Sequence, residues 1–150
     1  MAAAAAGQKV TAAFLNSLCP LGEAQSSTDS TSGTTTSTSY TDTLTGTGTK
    51  TLAFTAPPSG AVAITIKASL KNSAGNYTAA AFRLSGASTR ASSDSDQIFV
   101  LGTNEDTEET TTIVTGLTAG GAYTITMQHK VTAGTGTYNF RRITVRPLPA

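Results

Sequence analysis

The sequence contains one histidine, His129, and one cysteine, Cys19. A conventional Ser-His-Asp relay would have to use His129 as its base. That residue stands in "AYTITMQHKVT", where alternation puts Tyr123, Ile125, Met127, His129 and Val131 on one apolar face. A histidine in that company reads as a hydrogen-bonded core or interface residue, not a general base. Cys19 closes a short amphipathic stretch and reads as a small buried hydrophobe. A single cysteine allows no intrachain disulfide and no cysteine-based zinc site. Gly-Thr pieces such as "GTGTKT" lack the helix that a phosphate loop needs. A non-enzymatic protein without a cofactor is the expectation.

Acidic residues are concentrated at Asp94, Asp96, Glu105, Asp106, Glu108 and Glu109, with Arg90 the only basic residue nearby. Calcium takes six to eight oxygens from carboxylates and carbonyls. This stretch has no ordered ligand spacing around a central Gly, so no metal site is assigned. A solvated acidic loop is the first reading. Pairing with Lys130, Arg141, Arg142 and Arg146, within or between subunits, is the alternative. Sugar platforms need flat aromatic faces, and the chain has no Trp and four tyrosines: Tyr40, Tyr77, Tyr123 and Tyr138. Tyr123 and Tyr138 fall on inward faces, which weakens direct glycan binding.

Positioning these residues falls to β structure. Thr makes up about one residue in five, far above ordinary usage, and its β-branched side chain suits pleated surfaces. Charged residues are 13% and the formal net charge is +1, so no basic surface is available for a nucleic-acid backbone. No stretch approaches the ~20 apolar residues that span a bilayer, and the Ala run at the start lacks the basic lead of an export signal.

Residues 1–22 read as a helical anchor. Val10, Phe14 and Leu18 recur at i, i+4 and i+8 on one helical face, with Thr11 as N-cap and Pro20 as stop. So short a helix needs a partner, either its own β domain or another protein. The Ser/Thr-rich stretch 23–39, "EAQSSTDSTSGTTTSTS" from Glu23, is too polar to fold alone and reads as a flexible tether or as a strand laid along a partner.

Residues 40–150 read as a β-sandwich domain. "SYTDTLTG" and "TKTLAFTAP" suggest a first hairpin around Gly46–Gly48, and "PPSG" a turn. In "AVAITIKASLKN", Val62, Ile64, Ile66, Ala68 and Leu70 share one face. Ala80, Phe82 and Leu84 share another, and the last strand changes phase near Arg141–Arg142, as a β-bulge requires. About eight short strands joined by Gly, Pro and Ser turns predict an all-β antiparallel sandwich, jelly-roll-like, behind a short helix and tether.

The opening "AGQKVTAAFLNSL" resembles the first residues of tail and fibre proteins of tailed bacteriophages. "FTAPPSGAVAITIKASLKNSAGNYTAAAFRL" and "GLTAGGAYTITMQHKVTAGTGTYNFRRITVRPLP" are similar to β-rich domains of minor tail proteins of actinobacteriophages. The resemblance implies a virion component without catalytic residues, homo-oligomeric and often trimeric, made in the host cytoplasm. A tail position is the leading reading and a capsid decoration or head fibre the second. A free carbohydrate-binding module is the rival from another class, which an export signal and exposed Trp would have favoured. "GLTAGGAY" is locally similar to the tyrosine corner of fibronectin type III domains, with Ala119 in place of the usual Pro. Leu117 and Tyr123 are therefore expected to pack as a corner.

Two surfaces are expected to meet partners. Val10, Phe14 and Leu18 would dock on other virion proteins. "IFVL" is apolar on both faces, and Ala79 and Ala81 are small residues opposite Ala80 and Phe82. A homotrimer with Phe99, Leu101, Ala79 and Ala81 at the subunit interface is the expectation. A host cell-surface glycan is a further candidate partner.

Overall fold

The structure, a computed structural model, describes residues 24–149. The proposed anchor, with Val10, Phe14 and Leu18, lies outside the described residues. Nine strands follow in order: β1 (Gln25–Asp29), β2 (Gly33–Thr35), β3 (Thr51–Thr55), β4 (Val62–Asn72), β5 (Tyr77–Gly86), β6 (Ile98–Leu101), β7 (Asp106–Val114), β8 (Ala122–Val131) and β9 (Gly136–Pro147). All pairings are antiparallel. One sheet runs β1-β9-β4-β7, with β2 also on β9, and the other runs β3-β8-β5-β6. The antiparallel sandwich expected from the sequence is the fold of the chain.

Its core follows the alternation directly. Val62, Ile64, Ile66, Ala68 and Leu70 of β4 point inward against Ala80, Phe82 and Leu84 of β5 and Tyr123, Ile125 and Met127 of β8. Each fully buried Ile or Phe contributes roughly 1.5–3 kcal/mol relative to exposure. At the end of the sandwich, the Thr118 amide donates to the Tyr123 hydroxyl at 3.0 Å, and Leu117 is buried beside it. This is the expected corner. The "PPSG" turn closes through Gly60 N–H to Pro57 C=O at 2.9 Å. Gly60 has φ +62°, and a Cβ there would meet the Leu117 carbonyl at 2.5 Å, so only glycine fits.

The tether is corrected. Gln25–Asp29 and Gly33–Thr35 are strands on the free side of β9, with Ser27 opposite Ile143 and Gly33 opposite Tyr138. The sandwich therefore spans Gln25–Pro147, not 40–150. The polar stretch has no apolar surface to bury by itself, but backbone donors and acceptors on an existing edge order it without one. The first hairpin is corrected as well. Thr41 bridges His129, and Thr51–Thr55 pairs with Ala122–Thr126, so both segments lie end to end along β8. Alternation identifies an extended segment, whereas the ten-residue edge of β8 decides its partner.

The bulge in β9 is present. Register shifts between Lys67 opposite Arg142 and Ser69 opposite Asn139, and Phe140 takes φ +48°. The extra residue leaves Phe140 exposed and turns Arg141 into the interior.

Candidate interaction surface

The outer face of the β3-β8-β5-β6 sheet carries four of the residues singled out by sequence. Among the described residues, β6 is its edge strand and pairs with β5 alone. Ile98 and Val100 enter the core, whereas Phe99 is 51% and Leu101 74% exposed. Opposite them on β5 stand Ala79 and Tyr77 respectively. The Phe99 ring stacks on Tyr77 with centroids 5.0 Å apart and planes 26° from parallel. An apolar strip, Tyr77–Phe99–Leu101, thus lies along an open sheet edge.

Ala79 and Ala81 do not belong to that exposed strip. Both are fully buried within one chain. Their neighbours across the pairing are Lys130 and Gln128 of β8, long side chains tied over the same face by a polar network. Asp42 accepts from Arg83 Nη2 at 2.6 Å and from Gln128 Nε2 at 2.7 Å, and Ser92 donates to Gln128 Oε1 at 2.5 Å. Asp94 accepts from Lys130 Nζ at 2.5 Å and from the Tyr40 hydroxyl at 2.8 Å, while Lys130 lies 4.5 Å from the Tyr40 ring centroid. Hydrogen bonds from Arg83 hold the Asp42 carboxyl below the usual range, and those from Lys130 and Tyr40 do the same for Asp94. Small alanines make room for this layer, so the expected approach of a neighbouring subunit there is corrected.

Between the strip and the network is an open groove of about 470 Å³, lined by Thr38, Tyr77, Asp94, Lys130, Val131 and Thr132. It sets an aromatic wall beside a carboxylate, an ammonium and two hydroxyls. The alternation in "SYTD", which puts Tyr40 and Asp42 on one face, was the only sequence signal for this cluster. Its partners on β5, β8 and the Asp94–Asp96 turn are distant in sequence.

The remaining candidates fall elsewhere. His129 is fully buried as expected, and among the described residues neither ring nitrogen lies within full hydrogen-bond geometry of a partner. Its ring meets Tyr138 edge-on at 4.6 Å, and burial together with nearby Arg141 pushes its pKa down to about 3. Tyr138 is buried and donates to the Lys130 carbonyl at 2.8 Å. Four of the six acidic residues lie on separate cations: Asp94 on Lys130, Asp96 on Arg90, Glu105 on Lys71, and Glu109 on Lys67 and Arg142. Among the described residues, no group of three or more His, Cys, Asp or Glu is placed to hold a metal ion. None of the described helices is long and apolar enough to cross a membrane.

Sequence reasoning missed a second polar cluster, between the sheets. Fully buried Arg141 donates through Nη2 to Asp29 Oδ2 and Thr47 Oγ1, both at 2.6 Å, and through Nη1 to the Gly48 carbonyl at 3.2 Å. Buried Lys50 donates to Ser27 Oγ at 2.7 Å, and its burial lowers its pKa. The bulge predicted near Arg141 was the one available hint. No protein-family model and no curated protein sequence matches this chain.

Proposed function

We propose that the protein is a structural component of a tailed-bacteriophage virion: a tail-associated β-sandwich that self-associates, with residues 1–22 docking on other virion proteins. The sequence resemblance supplies the setting. The observation that carries the self-association is the Tyr77–Phe99–Leu101 strip at β6, an edge strand with one side open among the described residues, where two successive outward residues are large and apolar. Exposed apolar surface at a sheet edge marks association with another chain. Closed cyclic assembly is the usual outcome for identical subunits, and the resemblance favours three.

Light scattering coupled to size exclusion tests this on the purified chain. Wild type should run as a trimer at tens of micromolar, and Phe99→Asp as a monomer with an unchanged far-ultraviolet spectrum, because burying an unpaired carboxylate is strongly unfavourable. A monomeric wild type, or a trimeric Phe99→Asp, would overturn the interface. Labelled particles would distinguish a tail position from a capsid decoration or head fibre. A second reading, attachment to a host-surface glycan, is favoured by the groove beside Tyr77. Glycan arrays comparing wild type with Tyr77→Ala test it directly.

A further inference from the structure

The stretch 24–47 is a strap laid over the edges of both sheets. Its N-terminal part pairs with β9 through β1 and β2, and its later part bonds to β8 at Thr41 and Ser37. Of its apolar side chains, Leu44 alone is buried. Every other anchor is polar and directional.

Those anchors form a charge-complementary key and socket. The strap's two charges are Asp29 and Asp42. Asp29 meets Arg141 and Asp42 meets Arg83, while Ser27 accepts from Lys50. All three cations belong to the body that follows the strap. The socket includes a strained element. Phe140 holds φ +48°, a conformation rarely adopted by bulky residues, and the bulge it forms is what turns Arg141 inward. At the junction between strap and body stands Gly48, with no atom within 4 Å of where a Cβ would be.

We infer that the strap is exchangeable: in the assembled protein, residues 24–47 of one copy occupy the β9 and β8 edges of a second copy, with Gly48–Thr49 as the hinge. The occupant and the seat are already matched within one chain. Exchange between copies therefore keeps the Asp29–Arg141, Asp42–Arg83 and Ser27–Lys50 contacts, and changes the hinge, where the Gly48 carbonyl accepts from Arg141. Leu44 is the one apolar side chain of the strap that leaves the core on opening. The intrachain seat is favoured in dilute solution, and exchange gains as subunits crowd together. The seat borders the Tyr77–Phe99–Leu101 strip at the groove that Thr38 and Tyr77 both line. A Ser26–Thr144 cross-link reads the strap edge and not the strip, so its failure is distinguishable from that of the proposed oligomer.

The test uses full-length chains carrying Cys19→Ala, so that the engineered thiols are the only ones present. Ser26 and Thr144 are directly opposed on β1 and β9, with their hydroxyls 3.4 Å apart. The double variant S26C/T144C should close its disulfide within the chain at low concentration, establishing the seat. Chains carrying S26C alone and T144C alone are then mixed at several hundred micromolar, oxidised, denatured and run without reductant. A cross-linked S26C–T144C heterodimer that rises with concentration, above a mixture of S26C with T111C, supports exchange. Loss of that product on adding Asp29→Ala and Asp42→Ala to the S26C chain supports the charged key. A double variant that fails to close overturns the seat. A closed double variant with no heterodimer above the T111C background overturns exchange.

Discussion

Strand β9 is paired on both sides, and its two neighbours are held by different energies. Ile143 lies between Ser27 of β1 and Ile66 of β4, and Val145 between Gln25 and Ile64. Toward β4, the pairing adds hydrogen bonds to a face that is buried at every second residue. Toward β1, the same backbone geometry carries five residues that are all polar, none of them buried. Backbone pairing therefore sets the shape on both sides, while apolar burial sets the stability on one. An ion pair between part-exposed Asp29 and buried Arg141 substitutes for apolar packing on the other. Such a pair gives registry more than net stability, because desolvation offsets much of its attraction.

The comparison is broken most severely from the β4 side. Ile66→Ala removes a fully buried side chain from the centre of the core and should lower unfolding free energy by about 2–5 kcal/mol, read from urea midpoints. A loss below about 1 kcal/mol would mean that β4 does not carry the stability.

His129 lies at the seam, its ring in the core and its backbone bonded to Thr41 of the strap. Its folded pKa of about 3 lies below its ordinary 6.5, so the unfolded chain binds the proton first. Its contribution is whole above pH 6.5 and declines by about 1.4 kcal/mol per pH unit below it. Asp29 and Asp42 are also held low, but their contributions begin to fall only near their ordinary 3.8. Urea midpoints between pH 7.5 and 4.5 should therefore fall for wild type and stay level for His129→Leu. Parallel profiles would assign the acid sensitivity to other groups.

A smaller effect is expected from the strap. Asp29→Ala leaves Arg141 without its anion, but the strap can open and let water reach the guanidinium. Hydrogen exchange in 25–45 should accelerate by roughly 10–100-fold, while β4 amides keep their protection. Equal acceleration in both regions would mean that the strap and core unfold as one unit.

The smallest effect concerns the bulge that sets Arg141. Phe140→Gly relieves the φ +48° strain at an exposed position and should change stability by no more than about 1 kcal/mol, in the stabilising direction. Thermal melts with and without Asp29→Ala sharpen the comparison. If Phe140→Gly loosens the strap instead, the ring itself contributes to the seat.

Much of the architecture was legible in the chain. Alternation assigned the inward faces of β4, β5 and β8, because a strand with one buried face needs an apolar side chain every second residue. The tyrosine corner and the bulge were legible for similarly local reasons: a turn sequence around Tyr123, and a phase change along β9. The outward apolar pair Phe99 and Leu101 followed from an "IFVL" run that is apolar at every position. Polar positions carried less information. Ser and Thr in 23–39 are compatible with solvent, with a tether and with an edge strand, since all three satisfy the same backbone and hydroxyl groups. Which one forms depends on whether a free edge is within reach, and that edge belongs to β9, over a hundred residues later. The burial of Ala79 and Ala81 was decided the same way, by Lys130 and Gln128 crossing from β8. The sequence by itself determined which side chains seek the core, because apolar burial is nearly independent of the partner. Only the tertiary structure decided which polar groups meet, because a hydrogen bond or ion pair requires both ends to be brought together.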